Sequence, residues 1–167
     1  PYCAMPMFHG HALSASIFPS LATGATLVLK RRFSASAWLD DVRHYRATFF
    51  STVGRALSFI LATPPTEHDT DHTLKYVLAP ESTAPDIKAF SRRFRVPVIE
   101  GYGSSENAVI LVPVPGTPPG SLGQAMAESD IAVVDAETGE ECPRARFDAG
   151  GRLVNATECI GEIVGRN

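Results

Sequence analysis

Tyr102-Gly103-Ser104-Ser105-Glu106 brings an aromatic face, two hydroxyls and a carboxylate together within one short stretch. The residues before it, Val96-Pro97-Val98-Ile99-Glu100-Gly101, begin as an apolar run and end on a glycine. This order predicts a buried strand ending in a tight polar turn, with ring, hydroxyl donors and a metal-competent carboxylate converging at the strand's end. A nucleotide site needs that chemistry. A ring stacks on a base, a hydroxyl donates to phosphate oxygen, and Mg²⁺ takes one or two carboxylates along with phosphate oxygens. Gly101 and Gly103 would let the backbone approach a ligand and make the turn. Taken alone, the pentapeptide also fits a core tyrosine at a strand-to-loop turn beside a solvated glutamate.

The histidines and cysteines carry less. His9 and His11 lie close together, but with no third ligand nearby in sequence they do not make a metal site. His44 falls on a helix face, and His68 and His72 sit with Asp69 and Asp71 on a polar loop expected to be solvated. Cys3, Cys142 and Cys159 are odd in number and lack a Cys-x-x-Cys spacing, so they are expected to be free thiols.

The elements that must position these groups alternate. Apolar residues Leu13, Ile17 and Leu21 mark a helix over 12–22, which Pro19 should kink or shift and Gly24 should stop. A short strand follows at 26–29. Ser34 or Ser36 caps a helix through Trp38, Val42 and Tyr45, and 48–53 has strand composition. A helix over 55–62 ends at Pro64-Pro65, and 66–73 is the polar loop. Residues 74–78 form the next strand, 84–94 an amphipathic helix with Ile87, Phe90 and Phe94 on one face, and 96–99 the strand before Tyr102. Alternation at this spacing predicts an α/β fold, a mostly parallel sheet flanked by helices. Ligands in such sheets bind beyond the carboxyl ends of the strands, where Tyr102 to Glu106 would lie. Beyond Val112, prolines and glycines form a linker, and turns at 136–139 and 148–151 separate short strands at 131–134 and 160–164. The organisation expected is an α/β nucleotide- and acyl-binding subdomain over 1–112, then a linker and a short antiparallel β segment over 113–167, the start of a barrel-like subdomain.

With 167 residues, 44% hydrophobic and 20% charged, the chain has the composition of an ordinary globular protein. A net charge of −3 offers no long-range attraction for nucleic acid or anionic membrane. The short Lys30-Arg31-Arg32 and Arg92-Arg93 runs read as solvated loop and helix ends. No apolar run approaches the roughly 20 residues of a membrane span, and no secretory leader is seen. A cytoplasmic location is expected, and oligomeric state is left open. The chain opens on Pro1-Tyr2-Cys3 without an initiator methionine and closes on strand-like Ile160 to Gly165. Both ends are expected to be cut from a longer protein.

Tyr102-Gly103-Ser104-Ser105-Glu106 resembles the Y-G-x-[ST]-E signature of the adenylate-forming enzymes, the superfamily of acyl-CoA synthetases, luciferases and peptide-synthetase adenylation domains. Other landmarks stand in that family's order. Pro6-Met7-Phe8-His9 resembles the P-[LM]-[FY]-H turn bordering the acyl pocket. Ala79-Pro80-Glu81-Ser82-Thr83 occupies the place of a loop beside the adenine, with Ala79-Pro80 where relatives usually carry glycine. Gly120-Ser121-Leu122-Gly123 and Gly161-Glu162-Ile163 match later stretches. Each is weak alone, and the ordered set is specific. It covers essentially this whole chain but only the middle third or so of a family member, within the large N-terminal domain.

The resemblance implies an ATP-dependent acid-thiol ligase that activates a carboxylic acid, expected to be a fatty acid, as acyl-AMP and passes it to CoA. It assigns Glu81, Ser82, Thr83, Gly101, Tyr102, Gly103, Ser104 and Ser105 to nucleotide binding, with Ser105 on phosphate and Tyr102 against adenine. Glu106 becomes the Mg²⁺ ligand, Ser105 and Glu106 the catalytic pair, and His9 and Gly101 the acyl-pocket residues. ATP, Mg²⁺ and CoA are the implied cofactors and co-substrates. The family's phosphate loop, ribose-binding aspartate and catalytic lysine would lie outside these residues, so the chain alone is expected to be inactive.

A dinucleotide-binding domain would need a third glycine where Glu106 stands, and a carboxylate there repels pyrophosphate. A serine hydrolase would need a G-x-S-x-G elbow, which Ser104-Ser105-Glu106 does not provide. A non-catalytic nucleotide-binding or oligomerisation module on the same fold, or an adenylation domain for a non-fatty acid, remains the alternative.

Overall fold

The computed structural model describes residues 1–103, 109–118, 121–126 and 129–166. Strand β1 (Tyr2–Cys3) leads into a helical stretch made of α1 (Gly10–Ala12), a π-helical turn (Leu13–Ile17) and α2 (Phe18–Thr23). Then come β2 (Val28–Leu29), α3 (Ala35–His44), β3 (Phe49–Ser51), α4 (Arg55–Leu61), β4 (Tyr76–Leu78), α5 (Ala84–Phe94) and β5 (Val98–Ile99). The five strands form one sheet in the order β2-β1-β3-β4-β5, every neighbouring pair parallel. The alternation legible in the sequence is therefore the architecture.

Period-2 alternation splits the core between the sheet's faces. Tyr2 pairs with Phe50 and Cys3 with Ser51 in register. Tyr2, Phe50 and Val77 join a large cluster with Trp38, Leu57, Ile60, Phe90 and Phe94 from α3, α4 and α5. Trp38 sits at its centre, its ring centroid 5.1 Å from that of Phe94 and 5.4 Å from that of Phe50. Cys3 faces a second cluster with Met5 and Ala12, and Leu27 and Val53 pack against it.

Pro19 is absorbed without a break. The helix widens into the π-helical turn just before it, so Pro19 falls in the first turn of α2, where its missing N–H loses little. Gly24, at φ 67°, ends α2 in the left-handed region that glycine adopts freely. The Leu13, Ile17, Leu21 spacing marks the helix but not its buried face. Ala12, Ser16 and Ser20 turn inward, and Leu21 is 75% exposed. Small residues here let the helix lie close to the sheet.

Of the expected solvated ends, Arg31, Arg32 and Arg92 are exposed, while Lys30 and Arg93 are tied down. Lys30 pairs with Asp41 at 2.9 Å, and Asp41 in turn accepts from the buried Tyr2 hydroxyl at 3.0 Å. Arg93 is enclosed: it donates to Asp69 at 2.6 Å and to the carbonyls of Ile60, Leu61, Thr63 and Pro64, capping the end of α4. Most of the 66–73 loop is exposed as expected, but Asp69 is buried and anchors it to Arg93, making it a clasp between α4 and α5.

Beyond β5 the sheets are antiparallel. Strands β6 (Tyr102–Gly103), β7 (Ile110–Val112) and β8 (Gln124–Ala125) form one, in that order. Strand β9 (Ile131–Val134), the short helix α6 (Ala156–Cys159) and β10 (Glu162–Gly165) follow, β9 pairing with β10. Asp135 and Asp148 make the intervening turns, each side chain accepting two backbone amides. Among the described residues, no helix is long and apolar enough to cross a membrane.

Candidate functional site

Because all five strands of the first sheet are parallel, their carboxyl ends open on one edge. Two loops there are stitched by backbone hydrogen bonds. The Thr52 amide donates to Leu78 at 3.0 Å, the Gly54 amide to Pro80 at 2.8 Å, and the Ala79 amide to Ile99 at 3.0 Å. The segments after β3 and β4 thus form one rim, tied to the end of β5.

The loop after β4 is the most constrained part of it. Gly54 approaches so closely that a Cβ would stand 2.2 Å from the carbonyl oxygen of Glu81. Glu81 itself takes φ 63°, a left-handed conformation that costs a non-glycine residue roughly 1 kcal/mol or more. The side chain of Glu81 is exposed. Ser82 is buried, and its Oγ has no hydrogen-bond partner among the described residues. A buried hydroxyl without a partner costs free energy, and Ser16 Oγ and Trp38 Nε1 share that state. Thr83 caps α5, its Oγ1 accepting from the Asp86 amide at 3.3 Å, which leaves the hydroxyl proton to donate elsewhere.

Tyr102 is 38% exposed, which excludes a core tyrosine and leaves ring surface for stacking. The polar turn expected through Glu106 runs into residues outside those described. Tyr102 and Gly103 are extended in β6, with Gly103 opposite Ile110, because pairing to β7 satisfies their backbone groups better than a turn would. Gly101 is half-buried, and a Cβ there would meet the Leu111 carbonyl at 3.4 Å. Ser104, Ser105 and Glu106 lie outside the described residues. No group of three His, Cys, Asp or Glu among the described residues could hold a metal.

His9 is exposed at the head of α1, where its Nδ1 accepts the His11 amide at 3.2 Å. Met7, two residues earlier, lines an apolar groove of about 430 Å³ with Ile17, Leu21, Leu27 and Leu29. His11 lies against the end of β3, with Nε2 2.9 Å from the Ser51 Oγ. Burial, and then the nearby His9, lower the His11 pKa from its ordinary value. Gly54 and Ser51 stand in no motif of the sequence, and His11 entered only as a rejected metal ligand. The one local signal was a glycine between a strand and a helix, and the His11–Ser51 contact spans 40 residues of chain.

The chain matches, over residues 2–164, the family model described as AMP-binding enzyme. It is 48% identical over 163 residues to the steroid-22-oyl-CoA synthetase of Rhodococcus jostii, which covers 98% of this chain and 29% of that protein. The medium/long-chain-fatty-acid–CoA ligase FadD17 of Mycobacterium marinum is 40% identical over 154 residues, 92% of this chain and 30% of that one. Among solved structures, the O-succinylbenzoate coenzyme A synthetase of Bacillus subtilis in complex with ATP and magnesium superposes with a TM-score of 0.66 at 28% identity, covering 85% of this chain and 30% of that one. A benzoate CoA ligase from Burkholderia xenovorans LB400 gives a TM-score of 0.73 at 20% identity over 87% of this chain and 30% of that one, a likeness of fold. The chain therefore spans about three-tenths of the length of these relatives.

Proposed function

Because this chain belongs to the AMP-binding enzyme family, we propose that it supplies one wall of the nucleotide and acyl site of an ATP-dependent acid-thiol ligase, with a fatty acid as the carboxylate and CoA as the thiol. The observation that carries the reading is the 40% identity to a fatty-acid–CoA ligase over 92% of this chain. In the reaction, the carboxylate attacks the α-phosphorus of ATP, releasing pyrophosphate and giving acyl-AMP. The thiol then displaces AMP.

Each residue's part follows from its chemistry. Tyr102 offers a ring face to adenine from the start of β6, and Ser82 a hydroxyl with no partner among the described residues. Glu81 and Thr83 are its neighbours in sequence, and Gly101 and Gly103 would let the backbone approach the ligand. Ser104 and Ser105 would donate to phosphate oxygens, where anionic charge gathers as the carboxylate attacks. A single carboxylate at Glu106 suits Mg²⁺, which completes its shell with phosphate oxygens and water. The ion, when bound, would neutralise phosphate charge. His9 would border the acyl pocket with Gly101, and the apolar groove beside Met7 supports an apolar acid.

A second reading of the acid has its own support. Identity to the steroid-22-oyl-CoA synthetase is higher, at 48% over 98% of this chain, which favours a carboxylate borne on a steroid skeleton. The 167 residues by themselves are proposed not to catalyse. The test is acid-dependent exchange of labelled pyrophosphate into ATP by the ligase carrying this chain, run with fatty and steroid acids. Exchange with fatty acids supports the first reading and exchange only with steroid acids the second. Exchange with no carboxylic acid contradicts both. Exchange catalysed by the 167-residue chain alone contradicts its proposed inactivity.

A further inference from the structure

Ser51 is fully buried at the carboxyl end of β3, and among the described residues the partner of its hydroxyl is His11 Nε2, at 2.9 Å. Its backbone is engaged by parallel pairing with β1 and β4 on either side. Burial, and then His9, lower the His11 pKa, which favours a neutral ring whose Nε2 can accept from the Ser51 hydroxyl. With Ser51 as the donor the His11 proton lies on Nδ1, whereas the other tautomer would donate Nε2–H to Ser51.

The same residue fixes its neighbour. The His11 amide donates to His9 Nδ1 at 3.2 Å, so that nitrogen carries no proton and a neutral His9 holds its proton on Nε2. Among the described residues no partner is found for the His9 Nε2–H, and the ring is exposed. Two hydrogen bonds made by different groups of His11, its ring to Ser51 and its backbone amide to His9, thus join the end of β3 to the first turn of α1.

We propose that Ser51 and His11 are positioning residues: their hydrogen bond ties the first turn of α1 to the end of β3 and holds His9 as an Nε2–H donor to a carboxylate oxygen of the acid substrate. The pair touches no substrate itself. It acts by setting the tautomer and orientation of His9, which leaves ATP affinity unaffected. The substrate half of this inference rests on the acid-thiol ligase reading, whereas the tautomer half does not.

Ring-¹⁵N histidine spectra of the protein at pH 8 test the tautomers directly. The expected result is His9 as Nε2–H and His11 as Nδ1–H. Ser51→Ala should convert His9 to a mixture of tautomers, and Ser51→Thr, which keeps the hydroxyl, should restore the single form. A mixed His9 in the unsubstituted protein, or both rings unchanged in Ser51→Ala, overturns the proposal. In the ligase, Ser51→Ala should raise the KM for the acid about 10-fold with the KM for ATP unchanged, the size expected for one misaligned charge-assisted hydrogen bond. Equal KM values for the acid, or equal rises for acid and ATP, overturn it. If Ser51→Ala does not fold, the spectrum of the unsubstituted protein and the KM values of Ser51→Thr and His11→Gln decide. Absence of any acid-dependent exchange in the unsubstituted ligase counts against the ligase reading and the substrate half together, while the tautomer result still stands or falls by its own spectrum.

Discussion

Gly54 and Glu81 are in backbone contact: a methyl group placed on Gly54 would meet the Glu81 carbonyl oxygen at 2.2 Å and its carbon at 2.7 Å. The contact fastens the loop after β3 to the loop after β4 and holds Glu81 at φ 63°. Backbone atoms cannot swing aside as a side-chain tip can. Gly54→Ala is therefore expected to destabilise the protein by about 2–3 kcal/mol, the upper range for overpacking, and to shift the 80–83 loop. Urea denaturation measures the first and the KM for ATP in the ligase reports the second. A stable Gly54→Ala with unchanged KM would show the contact to be unimportant.

Ser82 should behave oppositely. Its buried hydroxyl has no partner among the described residues, so removing it relieves a desolvation cost. Ser82→Ala is expected to leave stability unchanged or raise it by up to about 1 kcal/mol, while nucleotide affinity falls about 10-fold if that hydroxyl donates to the ligand. Thermal denaturation with and without ATP separates the effects. Destabilisation with intact affinity would mean that the hydroxyl serves the fold instead.

Asp69 and Arg93 test what holds the loop clasp. Both side chains are largely enclosed and pair at 2.6 Å, so Asp69→Asn strands the Arg93 charge and should cost about 3 kcal/mol. Burial alone would raise the Asp69 pKa, but hydrogen bonds from Arg93 and Thr66 outweigh it and hold the carboxyl below its usual value. The unfolded chain then binds the proton more readily than the folded one, so stability rises with pH through this window. The contribution is complete above the unfolded carboxylate pKa, near 4, and is lost as pH falls through the folded value. Urea midpoints from pH 6 to pH 3 should fall more steeply for the unsubstituted protein than for Asp69→Asn. Parallel curves would contradict the pairing.

Much of the fold was legible because it is written in local pattern. The helix over 84–94 is found at those residues, with Thr83 as its cap and Phe90 and Phe94 on its buried face. Parallel pairing followed from strands spaced by helices. What escaped was set by partners distant in sequence. Nothing local to Arg93 announces four carbonyls and a carboxylate from 24 to 33 residues upstream. Tyr102 and Gly103 are extended because β7 offers a partner for their backbone, a fact the preceding strand does not carry. At the candidate site the rim was anticipated from the parallel sheet, and Tyr102 is open to a ligand as its motif requires. His11 was passed over because its significance lies in Ser51, on another element.

The most direct test is the Glu106→Gln substitution in the ligase carrying this chain, assayed by fatty-acid-dependent exchange of pyrophosphate into ATP. Amide for carboxylate keeps the shape and removes the charge that suits Mg²⁺. The account predicts a fall in exchange rate of about 100-fold or more, with a thermal midpoint close to that of the unsubstituted enzyme. Near-normal exchange by Glu106→Gln would contradict it.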